Sequence, residues 1–212
     1  MKAIIFDMDG VILDSESICD VVWEMAAKEK NLEDSSKVIN MCRGTNTNDT
    51  ILILKDFYGE DFDAKWFLER TSELFHEVEF SKGIPLMPYA KESLEKLQGR
   101  YRIALASSTR GPTVKRQLGA HNLLSFFETM TTGEMVEHSK PDPEIYLMAC
   151  KSLGLAPSEC IAVEDSFNGI KSAHAAGMKC CMIPDKIQPT DEIRSLCDYI
   201  CKDLKDFCSK IL

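Results

Sequence analysis

The sequence predicts an α/β fold: a doubly wound parallel sheet with a helical segment inserted after the first strand. Three observations carry this reading. Short continuous apolar runs alternate with amphipathic stretches over most of the chain, as strands buried on both faces alternate with the helices that cover them. One long section, residues 15–82, breaks the alternation and holds helical patterns without a convincing strand. Polar clusters directly follow three of the apolar runs, and open parallel sheets bind ligands beyond the carboxyl ends of their strands.

Taken in order, Ala3-Ile4-Ile5-Phe6 is the first run, short enough for a fully buried strand. The insert carries helical patterns at Val21 to Ala27, Thr50 to Phe57 and Lys65 to Phe75. It returns through Lys82-Gly83-Ile84-Pro85, where glycine and proline mark a linker. Pro88 to Gln98 reads as a helix stopped by Gly99, and Arg102 to Ala106 as the second strand. A helix from Thr113 to Leu118 ends at Gly119, and Phe127 to Thr131 is a weaker third strand. Pro143 to Leu153 opens with proline in its first turn and closes on Gly154. Cys160 to Val163 is the fourth strand, Asn168 to Ala176 an alanine-rich helix closed by Gly177, and Lys179 to Ile183 the fifth strand. This reading divides the chain into a core of residues 1–14 and 83–212 and a helical insert of residues 15–82.

The chain has 212 residues, 44% of them hydrophobic and 28% charged, the composition of a folded globular protein. Its net charge of -9 argues against nucleic acid or an anionic membrane as the main partner. The N-terminal apolar run is interrupted by Asp7 and Asp9, so it reads neither as a signal peptide nor as a membrane span. The 9 cysteines, with no CxxC pair, read as reduced buried thiols of a cytoplasmic protein.

The chemistry-bearing residues stand at strand ends. Asp7-Met8-Asp9-Gly10 follows the first strand, and an i, i+2 spacing there aims two carboxylates at one point. So close a pair raises the pKa of one member, which leaves an ionised Asp7 to attack and a proton-carrying Asp9 to serve a leaving oxygen. Gly10 lets the chain turn away. Ser107-Ser108-Thr109-Arg110 precedes a helix; its hydroxyls and amides make either an anion site or a plain N-cap. Glu164-Asp165-Ser166 follows the fourth strand and offers either hard oxygen ligands for magnesium or a helix cap. Lys140, held between Ser139 and Pro141 with Pro143 beyond, offers a fixed positive charge.

In order, DMDGVILDSE, ALASSTR, SKPDPEIY and VEDSFNGIKSAHAAGM resemble the motifs of the haloacid dehalogenase superfamily. The similarity is to its capped phosphatases and β-phosphoglucomutase-like phosphomutases, and it runs from end to end. It implies a Rossmann-like core, with residues 15–82 as a mobile cap that excludes water and chooses the substrate. It implies Asp7 as the nucleophile that becomes an aspartyl-phosphate, and Asp9 as the acid and base. Ser107, the Ser108 amide and neighbouring Gly10 and Thr109 would hold the substrate phosphate, and Lys140 would neutralise it. Magnesium would be bound by Asp7, the Asp9 carbonyl and Asp165, with Glu164 either a ligand or a partner of one. Arg43 and Gly44 fall where the family's substrate-contacting cap loop lies.

Cys19 stands where the β-phosphoglucomutase branch has a histidine, which tilts the expectation from mutase to hydrolase. The resemblance therefore implies a Mg2+-dependent phosphatase of a small phosphorylated metabolite, a sugar phosphate being one candidate; a monomer is the default expectation, which the sequence does not address. The alternatives are a phosphomutase and a non-catalytic phosphate-binding protein on the same fold.

Overall fold

The computed structural model describes residues 1–43 and 47–212 and separates into two compact units, Met1–Asp14 with Pro85–Leu212, and Ser15–Ile84.

The larger unit is built on a sheet of 6 parallel strands in the order β3-β2-β1-β4-β5-β6. The strands are β1 (Ala3–Phe6), β2 (Arg102–Ser107), β3 (Thr129–Thr132), β4 (Cys160–Glu164), β5 (Lys179–Met182) and β6 (Tyr199–Ile200). The first strand is central and buried throughout, which explains its unbroken apolar run. The fold class matches the sequence expectation, and five of the strands lie where apolar runs predicted them. The two-residue β6 is an addition, because so short a strand has no periodicity to detect.

Helices cover both faces. Numbering the helices along the whole chain, this unit holds α5 (Ala90–Leu97), α6 (Gly111–Ala120), α7 (Glu144–Ser152), α8 (Phe167–Ala175), α9 (Asp191–Leu196) and α10 (Leu204–Ile211). On one face, α7 and α8 pack Ile145, Tyr146, Ala149, Ile170 and Ala173 onto Ala104, Ala106, Ala162 and Cys180. Those small sheet residues let the helices approach closely. On the other face the larger residues point away, and Phe6 meets Phe207 of α10 edge to face at 6.4 Å.

One helix end differs from expectation. Gly119 lies inside α6, which runs on to Ala120. The left-handed stop falls on Asn122 (φ 58°), and the Leu123 N–H bonds back to the Leu118 carbonyl at 3.0 Å. The chain leaves the core after Leu13, which bridges antiparallel to Leu86, while the Asp14 N–H donates to the Pro85 carbonyl at 2.9 Å.

The smaller unit consists, among the described residues, of α1 (Ser15–Glu29), α2 (Ser35–Cys42), α3 (Thr47–Tyr58) and α4 (Ala64–Lys82). Ile18, Val22 and Ala26 line one stripe of α1, and Phe67, Thr71 and Leu74 one of α4. Trp23 packs edge to face on Phe67 at 5.2 Å, and Arg70 bridges α4 to Glu29 on α1 at 2.9 Å. No periodic signal announces α2, whose buried Val38, Ile39 and Cys42 are diluted by polar neighbours. No helix among the described residues is long and apolar enough to cross a membrane.

Candidate active site

The parallel register builds the site. Phe6 pairs with Leu105 on one side and Val163 on the other, so the next residue, Asp7, stands level with Ala106 and Glu164. The Asp7 N–H continues the ladder to the Val163 carbonyl at 2.9 Å. Neighbouring residues of one row in a parallel sheet project to the same side, so two acids from different strands meet there.

Lys140 joins them. Its Nζ donates to Asp7 Oδ1 and Glu164 Oε1, both at 2.6 Å, and to the Ala106 carbonyl at 3.2 Å. Glu164 is fully buried and Asp7 nearly so. Glu164 Oε1 also accepts from the Tyr146 hydroxyl at 2.7 Å, and Oε2 from the Ser166 hydroxyl at 3.0 Å. Burial pushes the Asp7 carboxyl up to about 7, opposed by Lys140 and helped by Glu164 and Asp9. Burial works to lower the Lys140 pKa, but the Asp7 and Glu164 carboxylates outweigh it and hold the ammonium charged well above its ordinary range. Burial also raises the Tyr146 phenol far above its usual value, so it stays a donor.

Asp165 completes a cluster in which one oxygen from each of Asp7, Glu164 and Asp165 lies within 4.8 Å of the others. Three carboxylates so close repel unless a cation joins them, and hard oxygen donors suit magnesium; the donor set fits that ion. Glu164 belongs to the cluster geometrically, yet its oxygens are engaged by Lys140, Tyr146 and Ser166. Gly10 has φ 73°, and a Cβ there would fall 2.2 Å from Asp165 Oδ2. The tight turn after β1 and the place of Asp165 are therefore one requirement.

Ser107 ends β2 and is fully buried. Its Oγ accepts from the Thr109 N–H at 3.1 Å, and Thr109 Oγ1 donates to Asp9 Oδ2 at 2.8 Å. These hydroxyls do not cap α6. Its N-cap is Arg110, without a side-chain bond, and the Gly111 N–H is taken by the Glu134 carboxylate at 2.8 Å. Ser166 does cap α8, accepting from the Gly169 N–H at 3.0 Å, while it also holds Glu164. Tyr146, Glu134 and Gly169 escaped the sequence reading. Each looks like an ordinary helix-face or loop residue, and only the fold reveals its neighbours.

Arg43 lies in the helical unit, where Nη1 donates to Glu16 at 2.9 Å, Nη2 to Asp20 and Nε to Asn40 at 3.0 Å. A cavity of about 280 Å³ there is lined by Glu16, Cys19, Trp23, Cys42, Arg43 and Thr50 among others. Gly44 lies outside the described residues.

The sequence profile of the haloacid dehalogenase-like hydrolases matches residues 4–183. The chain is 34% identical over 195 residues to YhcW of Bacillus subtilis (strain 168), provisionally named a phosphatase, covering 90% of this chain and 86% of that one. It is 31% identical over 183 residues to the phosphorylated carbohydrates phosphatase of Thermotoga maritima, covering 84% of this chain and 83% of that one. A haloacid dehalogenase-like protein of unknown function from Agrobacterium tumefaciens shares the fold, with a TM-score of 0.84 at 22% identity over 100% of this chain and 97% of that one. The chain belongs to the haloacid dehalogenase-like hydrolases.

Proposed function

We propose that this hydrolase is a magnesium-dependent phosphatase that releases phosphate from a small phosphorylated metabolite through an aspartyl-phosphate on Asp7. The observation that carries the reading is the meeting of Asp7 and Glu164 on the Lys140 ammonium at 2.6 Å each, at the carboxyl end of the central strands. Such convergence of one fixed cation on a nucleophilic carboxylate is what phosphoryl transfer requires, since that chemistry rests on positioning and charge stabilisation.

The Asp7 oxygen not held by Lys140 attacks phosphorus as the ester P–O bond breaks, and Asp9 gives its proton to the leaving oxygen. Asp9, oriented by the Thr109 hydroxyl, then takes a proton from water. That water attacks phosphorus, and the bond to Asp7 breaks to release phosphate. Lys140 neutralises the transferring group, and Ser107 with the Ser108 amide holds its oxygens. Asp7, the Asp9 carbonyl and Asp165, with Glu164 alongside, would hold magnesium. When bound, the ion supplies positive charge that keeps Asp7 ionised and offsets the phosphate.

The name of the Thermotoga maritima relative supports a phosphorylated carbohydrate as the first substrate class to try. Cys19 in place of the mutase histidine supports water, rather than a second sugar, as acceptor. The test is Mg2+-dependent phosphate release from sugar and nucleoside monophosphates, with Asp7→Asn and Asp9→Asn beside the unaltered chain. Release that both substitutions and chelation abolish is the expected result. No release from any ester by a folded protein that binds magnesium would sink the reading.

A further inference from the structure

We propose that Tyr146 is a positioning residue of this site: its hydroxyl locks the Glu164 carboxylate, and through it aims the Lys140 ammonium at Asp7. The inference rests on the phosphatase reading for its catalytic consequence and on geometry alone for the positioning.

Tyr146 is among the largest fully buried side chains and lies in the core between α7 and the sheet. Filling that space needs a ring and no oxygen, so a phenylalanine would serve packing equally. A buried hydroxyl is retained at a cost unless it is bonded. Here its partner is Glu164 Oε1, the same oxygen that accepts from Lys140. The ring faces the same cation, with Lys140 Nζ 5.2 Å from its centroid. One side chain therefore touches both members of the ion pair.

An ammonium has three N–H donors, and those of Lys140 are divided among Asp7, Glu164 and the Ala106 carbonyl. An arriving phosphoryl oxygen has to displace one of these acceptors. The Glu164 bond is the one that stays, because its carboxylate is fixed from both ends. Tyr146 holds Oε1 and Ser166 holds Oε2, and a Cβ on Gly169 would overlap the carboxyl group. Without the phenol, Oε1 keeps only the lysine and the pair can swing as a unit away from Asp7.

Tyr146→Phe tests this. The expected result is a kcat lowered roughly 10–100-fold, the range for residues that orient a catalytic group, with KM within about 2-fold, in a chain that still melts cooperatively, its midpoint lowered by the lost bond to a buried carboxylate. In a Lys140→Met background the same substitution is expected to add nothing, because the group it aims is gone. An unchanged kcat, or an equal loss in both backgrounds, overturns the proposal and returns Tyr146 to packing. A second readout is independent of turnover. With 15N-labelled lysine, the Lys140 ammonium resonance, assigned by its loss in Lys140→Met, should shift or broaden in Tyr146→Phe. An unmoved resonance overturns the positioning even if every ester is hydrolysed. A shifted resonance in a chain that hydrolyses no ester overturns the phosphatase reading instead.

Discussion

At Gly169 a Cβ atom would lie 1.9 Å from the Glu164 carboxyl carbon and within 2.1 Å of its oxygens. Alanine is the better helix former by about 1 kcal/mol, so at an open position Gly169→Ala would stabilise α8. Here overpacking, at about 1–3 kcal/mol, prevails, and the group forced to move is the counter-ion of Lys140. Gly169→Ala is therefore expected to lower the denaturation midpoint and to reduce phosphate release together; a stabilised variant would contradict it. The residues in this neighbourhood were unequally legible. Asp7, Asp9, Ser107, Lys140, Glu164 and Asp165 stand out because polar groups abruptly end apolar runs or, for Lys140, directly precede a Pro-Asp-Pro run. Tyr146 and Gly169 act from helix faces whose pattern is that of any core, so nothing in one dimension separates them from packing.

Among the elements, α6 shows a division of labour that its preceding hydroxyls conceal. The Ser107 hydroxyl accepts from the Thr109 N–H and the Thr109 hydroxyl turns to Asp9, which leaves the helix start to Glu134, delivered by the short 3-10 turn after β3. Its own backbone N–H and that of Gly111 hold the Glu134 carboxyl below its ordinary range. A depressed folded pKa gives stabilisation that is present above the unfolded value and lost as pH falls through the folded one. Glu134→Gln is thus expected to melt earlier than the unaltered chain at neutral pH. Thermal melts should show the gap narrowing as pH drops through the carboxylate range; a gap independent of pH would remove the charge from the explanation. Element boundaries were readable where glycine and proline punctuate them, as at Gly99 and Gly177. They were not readable for α2, β6 or the end of α6, where short length or an asparagine stop leaves no signal.

Over the whole molecule, a net charge of -9 opposes an anionic substrate, and the acids within 4.8 Å of one another at Asp7, Glu164 and Asp165 add to the opposition locally. Lys140 offsets one charge, and a divalent cation would offset the rest. Magnesium is expected to raise the thermal midpoint of the unaltered chain, by about 2.7 kcal/mol of added stability at a hundredfold excess over its Kd. Asp165→Asn should lose most of that gain, whatever its activity, and an equal gain in both proteins would place the ion elsewhere. The parallel layout was legible because every core strand but β6 carries its own apolar run. The neck of the insert has a different consequence. Leu13 and Leu86 bridge, and the Asp14 N–H reaches the Pro85 carbonyl, so the two ends of residues 15–84 are already joined in space by the core itself. That makes the core a socket: closing a loop costs little more when the loop is longer, so modules of quite different size can be exchanged there while the strand that bears Asp7 keeps both its neighbours. A chain in which a few-residue turn links Asp14 directly to Pro85 should still unfold in one cooperative transition.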